Sequence, residues 1–147
     1  MQILPSAVLF CCTMNEIRSP MAEGIMKRFH GGQVFVDSVG VRQGSLDPLM
    51  VQVMSEIGVD MARHRPKIFD NLADDSFDMA IALSPEAQHA AADLTRYMHC
   101  DVRLWNITDP SLMEGSRDSR LAAYRATRDQ LQQKILELFP RADHLDY

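Results

Sequence analysis

Ala7-Val8-Leu9-Phe10-Cys11-Cys12-Thr13-Met14-Asn15-Glu16-Ile17-Arg18-Ser19-Pro20 runs from an unbroken apolar segment through a polar loop to a helix start. The apolar run from Ala7 to Cys11 has the pattern of a strand buried on both faces, since a strand with one wet face would alternate with polar residues. Ser19-Pro20 offers a cap and a proline at the first helical position, where its missing N–H breaks no bond. Met21, Ile25 and Phe29 then recur on one helix face. A central strand, a loop and a helix are expected in that order.

The alternation continues along the chain. Val34-Phe35-Val36 reads as a second strand, and Asp47-Pro48 opens a helix with Met50, Val53, Met54 and Ile57 on one side before Gly58 stops it. Met79 to Leu83 reads as a third buried strand, and Ser84-Pro85 caps an alanine-rich helix running through Leu94. Val102-Arg103-Leu104 is a short fourth strand. Leu121, Tyr124, Leu131, Ile135 and Leu138 mark one face of a last helix ending near Pro140. Strands alternating with helices predict an α/β fold, a four-stranded parallel sheet with helices on both faces, of flavodoxin-like type. Ligands of such sheets bind at the carboxyl ends of the strands, which singles out the loops after the first and fourth strands.

With 147 residues, no internal repeat and no linker, the chain reads as one domain over 1–147 with its core at about 7–139. Hydrophobic residues at 46% and charged residues at 24% are those of an ordinary globular protein. No apolar run approaches the roughly 20 residues that span a bilayer, and the opening residues lack a basic flank leading into a long apolar stretch. Three cysteines, two of them adjacent, make a poor disulfide framework and favour reduced thiols, so a cytoplasmic location is expected. The formal net charge of −5 argues against nucleic acid as a partner. The five histidines show no metal-ligand spacing, so neither metal nor cofactor is expected.

Cys12 and Arg18 bracket the five residues Thr13, Met14, Asn15, Glu16 and Ile17. Such a loop at a helix N-terminus turns successive N–H groups inward and makes a concave anion site backed by the helix dipole. The same positive surroundings stabilise a thiolate. Arginine, always charged, offers a planar fork to two phosphoryl oxygens. Taken alone, Cys12 reads first as a buried structural thiol, and Asp109 before Pro110 reads first as a helix cap or turn; the surrounding motif reverses both. Cys11 alternates to the other face of the strand, and Cys100 reads as structural. His64 reads as solvent-facing or as a loop hydrogen-bonder.

From Ala7 to about Phe139 the sequence resembles the low-molecular-weight protein tyrosine phosphatase family, on Cys12 through Pro20, Met21-Ala22-Glu23-Gly24, Asp37-Ser38, Ser45-Leu46-Asp47-Pro48 and Asp109-Pro110. The resemblance implies Cys12 as nucleophile, Arg18 as phosphate clamp and Asp109 as the acid that protonates the leaving oxygen and later activates water. It implies Thr13, Met14, Asn15, Glu16, Ile17 and Ser19 around the substrate. Ser19 would hydrogen-bond the sulfur, and Asn15, tolerant of a left-handed backbone, would hold the loop with Ser38 as partner.

The expected partner is a phosphorylated protein or small phosphate ester; no oligomeric state is implied. Met14 stands where the family usually has glycine, and Ile17 where it often has a second cysteine. Neither the stretch from Val39 to Gly44 nor Ser111-Leu112 carries the aromatic walls of tyrosine-specific members. The leading expectation is hydrolysis of phosphoprotein monoesters, of phosphotyrosine first, through a cysteinyl-phosphate. Three alternatives stand beside it: phosphoarginine hydrolysis, with Glu16 at the rim drawing a cation; arsenate reduction, for which the chain has only Cys100 downstream of Cys12; and a weakly active phosphate-binding regulatory module.

Overall fold

A computed structural model describes residues 4–72, 76–96 and 98–141. Met1 to Ile3, part of the opening stretch read above, lie outside them. Four strands, β1 (Ala7–Cys12), β2 (Phe35–Gly40), β3 (Met79–Ala82) and β4 (Asp101–Leu104), form one sheet in the order β2-β1-β3-β4. All three pairings are parallel, with Ala7 opposite Phe35, Val8 opposite Met79 and Met79 opposite Asp101. Four α-helices connect and follow the strands: α1 (Arg18–His30), α2 (Pro48–Ser55), α3 (Pro85–Leu94) and α4 (Arg117–Leu138). The expected α/β architecture is therefore what the chain adopts.

β1 is buried along its whole length, as a continuous apolar run requires. The pleat sends Val8, Phe10 and Cys12 into the larger core with α1, α2 and α4, and sends Ala7, Leu9 and Cys11 into a smaller one with Ala87 and Ala91 of α3. Small alanines let α3 lie close to the sheet. Asp47 caps α2 by accepting the N–H groups of Leu49 and Met50, Ser84 caps α3 through Ala87, and Gly58 follows α2 with φ at +78°.

Two boundaries depart from expectation. β2 starts one residue later than Val34 and continues through Asp37 and Ser38 to Gly40, because the buried Ser38 hydroxyl finds partners that offset its polarity. α1 begins at Arg18 with Ile17 at the cap position and no side-chain cap, so Ser19-Pro20 lies inside the first turn. The Ser19 hydroxyl is committed elsewhere, as described below.

Glu56, just past α2, ties that helix to α4. Its carboxylate accepts Nε and Nη2 of Arg125 at 2.9 and 2.7 Å and Nη1 of Arg128 at 2.8 Å. Hydrogen bonds from Arg125 and then Arg128 hold its carboxyl down at about 2, against an ordinary 4.5. The stability from this contact is thus complete above the ordinary value and disappears as pH falls through about 2. Glu56→Gln should lower the urea midpoint near neutral pH and converge with the parent in strong acid. An equal deficit at every pH would assign the effect to packing instead.

Candidate active site

The carboxyl end of β1 delivers Cys12, and the loop 13–17 returns the chain to α1. Cys12 lies opposite Gly40 of β2. A Cβ on Gly40 would come within 2.6 Å of the Met14 carbonyl carbon and 2.7 Å of the Asn15 nitrogen, so only glycine lets the loop backbone cross the end of β2 this closely. Since Ile17 supplies no side-chain cap, the first N–H groups of α1 have neither an intrahelical acceptor nor a capping side chain. That is the electropositive setting expected for an anion.

A relay of hydrogen bonds sets the loop. Asn15, at φ +56°, donates from Nδ2 to Ser19 Oγ at 2.8 Å and to Ser38 Oγ at 2.9 Å. Both hydroxyls are thereby acceptors and have one proton each to give. Ser38 gives its proton to Glu23 Oε1, and Ser19 lies 2.9 Å from the Cys12 sulfur, nearer than its 3.4 Å approach to the Val39 carbonyl. The order Glu23, Ser38, Asn15, Ser19 thus reaches the Cys12 sulfur, with the Ser19 proton within reach of both the sulfur and the Val39 carbonyl. Asn15 Oδ1 accepts the Lys67 N–H at 3.0 Å, and His64 Nε2 lies 2.9 Å from the Asn15 carbonyl oxygen. A carbonyl only accepts, so Nε2 carries the proton and His64 is a loop hydrogen-bonder.

Arg18, 9% exposed, is tethered by Nη1 to the carbonyls of Ile107 at 2.9 Å and Leu83 at 3.3 Å. Both carbonyls lie just beyond the carboxyl ends of neighbouring strands, so the sheet itself aims the guanidinium. Nη2 faces Asp109 Oδ2 at 4.0 Å. The Asp109 carboxylate is divided: Oδ1 accepts the N–H and hydroxyl of Ser111, capping a short 3-10 turn at Pro110–Leu112, while Oδ2 turns to Arg18. The cap and the site position are thus one arrangement. Cys12, Met14, Glu16, Ile17, Arg18, Asp109 and Ser111 line a cleft of about 20 Å³.

The remaining loop side chains are fixed by neighbours outside the loop. Thr13 Oγ1 reaches Ser84 Oγ at 3.2 Å, Ile17 is buried against the larger core, and Glu16 Oε2 accepts the Ser45 N–H at 3.0 Å. Glu16 therefore stays at the rim with its charge directed to the neighbouring loop. Glu23, His64 and Lys67 are supports that spacing alone could not reveal, being brought to the loop from 8 to 52 residues away; only the left-handed tolerance of Asn15 hinted at such a network.

Neither other cysteine reaches Cys12. Cys11 points to the opposite face of β1, where burial, then the nearby Cys12 and Cys100 sulfurs, push its thiol far up. Cys100 precedes Asp101, which is level with Met79, whereas Cys12 follows Cys11, level with Ala82. Those levels are roughly 10 Å apart along the strands, with the two cysteines beyond opposite ends, well past the span of a disulfide. Burial, Asp101 and Asp78 raise the Cys100 thiol as well. Among the described residues no group of three or more His, Cys, Asp or Glu is placed to hold a metal ion, and no helix is long and apolar enough to cross a membrane.

Comparison with known proteins gives relatives named arsenate reductase and structural neighbours named as phosphatases. A Bacillus subtilis (strain 168) protein named arsenate reductase is 28% identical over 130 residues, 88% of this chain and 92% of that protein. The low molecular weight protein tyrosine phosphatase of T. tengcongensis superposes with a TM-score of 0.74 at 25% identity, covering 90% of this chain and 96% of that one. An arsenate reductase solved in a phosphate-binding state superposes with a TM-score of 0.71, also at 25% identity, covering 90% and 95%. The pattern described as low molecular weight phosphotyrosine protein phosphatase matches residues 7–146. With 140 of its 147 positions inside that match, the chain belongs to the low molecular weight phosphotyrosine protein phosphatase family.

Proposed function

We propose that this chain is a cytoplasmic phosphatase that hydrolyses phosphomonoesters, with aryl phosphates such as phosphotyrosine as its substrate class. The observation that carries the reading is the convergence of a Ser19-bonded Cys12 sulfur, a carbonyl-tethered Arg18 and the Oδ2 of Asp109 on one cleft. The Cys12 thiolate attacks phosphorus, the S–P bond forms as the ester P–O bond breaks, and Asp109 gives its proton to the departing oxygen. Water then attacks the cysteinyl-phosphate and loses a proton to Asp109, and the sulfur leaves with the Ser19 O–H as donor. Arg18 and the loop N–H groups hold the equatorial oxygens in both steps.

Among the described residues no aromatic side chain lines the cleft. Leu112, Met113 and Leu46 are 73%, 47% and 38% exposed on the two loops flanking the cleft, and Met14 lines the cleft itself. Thioether and aliphatic surfaces pack favourably on an aryl ring. Asp109→Asn is the test. Turnover of a phosphate ester with a poor leaving group should fall by about 10²- to 10⁴-fold, and that of p-nitrophenyl phosphate by much less, because an activated phenolate departs unprotonated. Equal losses would make Asp109 only the cap of its turn. A panel of phosphotyrosine, phosphoserine and phosphoarginine peptides fixes the class: phosphoarginine in front would assign Glu16 the cation-selecting role, and no turnover at all would leave a phosphate-binding module.

The relatives named arsenate reductase support a second reading in which arsenate takes the place of phosphate on Cys12. Two electrons would then have to come from thiols outside the chain, since Cys11 and Cys100 lie out of reach of Cys12. Arsenate-dependent oxidation of an added thiol, faster than ester hydrolysis, would favour it.

A further inference from the structure

An open groove of about 800 Å³ lies between α1 and the segment from Gly58 to Lys67. It shares no lining residue with the Cys12 cleft. Five cationic side chains, Lys27, Arg28, Arg63, Arg65 and Lys67, face two acidic ones, Glu23 and Asp60. The groove is therefore locally positive on a chain of formal charge −5.

Most of these charges are already engaged. Lys27 pairs with Glu23 and Lys67 with Asp37, each at 2.5 Å, and Arg28 donates to the Ile57 carbonyl. Asp60 accepts the Ala62 N–H at 2.9 Å. Arg63 and Arg65 differ: both are exposed, and neither has a hydrogen-bonding or ionic partner among the described residues. They flank His64, whose ring is held by the Asn15 carbonyl, so the backbone carrying the two free guanidinium groups is pinned to the fold. Between them and α1, Val59, Met61 and Pro66 contribute an apolar lining.

We propose that this groove is a second anion site, one that binds a small organic diphosphate of the nucleoside diphosphate class. Two guanidinium forks suit two adjacent phosphoryl groups, and the apolar lining suits a flat organic body. The volume falls in the range of small-molecule sites, about 300–1,000 Å³. The assignment does not depend on the phosphatase reading, because it concerns binding away from Cys12.

Calorimetric titration of the full chain with ADP at low salt tests it, using the parent, R63Q/R65Q and R18K. The two arginines are exposed and unpartnered, so their replacement leaves the fold intact. ADP affinity should fall by about tenfold or more in R63Q/R65Q and stay within about twofold in R18K. Added salt should weaken the parent more than the double variant. Inorganic pyrophosphate should bind the parent more weakly than ADP. Absence of saturable ADP binding to the parent, or binding that survives in R63Q/R65Q and vanishes in R18K, would overturn the site. Equal affinities for ADP and pyrophosphate would overturn the organic-diphosphate class.

Discussion

Cys12→Ser is expected to remove hydrolysis by about four or more powers of ten while the chain folds and retains phosphate binding. The hydroxyl occupies nearly the space of the thiol, remains within reach of Ser19, and sits in the same buried end of β1, so the change in stability should be about 1 kcal/mol or less. What disappears is the sulfur nucleophile, because a serine hydroxyl is not a nucleophile near neutral pH unless a base takes its proton. Among the described residues, the carboxylates lining the cleft are Asp109, divided between Ser111 and Arg18, and Glu16, bonded to Ser45. Neither is placed as a base for residue 12. Stopped assays with p-nitrophenyl phosphate, together with phosphate titration of the variant, give both readouts. Activity within tenfold of the parent would rule out the cysteinyl-phosphate, and loss of phosphate binding would show that sulfur shapes the loop as well as reacting.

The part of this site legible in the sequence is the part built from neighbours. An apolar run leading into a cysteine, five residues and an arginine is local, and so is the alternation of elements that places the Asp109 loop on the same sheet edge. The supports are not local. Glu23, Ser38, His64 and Lys67 reach Asn15 or its partners only after β2 pairs with β1 and the segment near residue 67 crosses the end of β2. Residue type at those positions is ordinary and nothing in their spacing predicts a shared hydrogen-bond chain; Ser38 alone is expected beside Asn15, and that comes from the family resemblance. Ser19 illustrates the opposite error: next to proline its local signal is a helix cap, yet its hydroxyl is drawn to sulfur because Asn15 already supplies it with a proton donor. Net charge is likewise only an average, and −5 over the chain coexists with a groove where cations outnumber acids.

Arg18→Lys should reduce turnover by about 10²- to 10³-fold and weaken phosphate binding as well, although the formal charge is kept. In the parent, Nη1 is anchored on the carbonyls of Ile107 and Leu83, leaving the rest of the guanidinium aimed at the cleft and at Asp109. A single ammonium cannot satisfy both duties. If lysine keeps the carbonyl contacts its charge stays back from the phosphoryl oxygens; if it reaches forward, the Ile107 carbonyl loses its Arg18 donor where Ile107 is 1% exposed, while the Leu83 carbonyl keeps the Ile107 N–H. The first outcome lowers activity with stability preserved, and the second lowers both, so thermal unfolding measured beside kinetics identifies which is taken. Either way the loss should exceed that from removing a surface charge and should persist at high salt, because the clamp acts through fixed geometry in a buried setting. Kinetics within threefold of the parent would remove Arg18 from the clamp role and reduce it to a strut between the loop and the sheet.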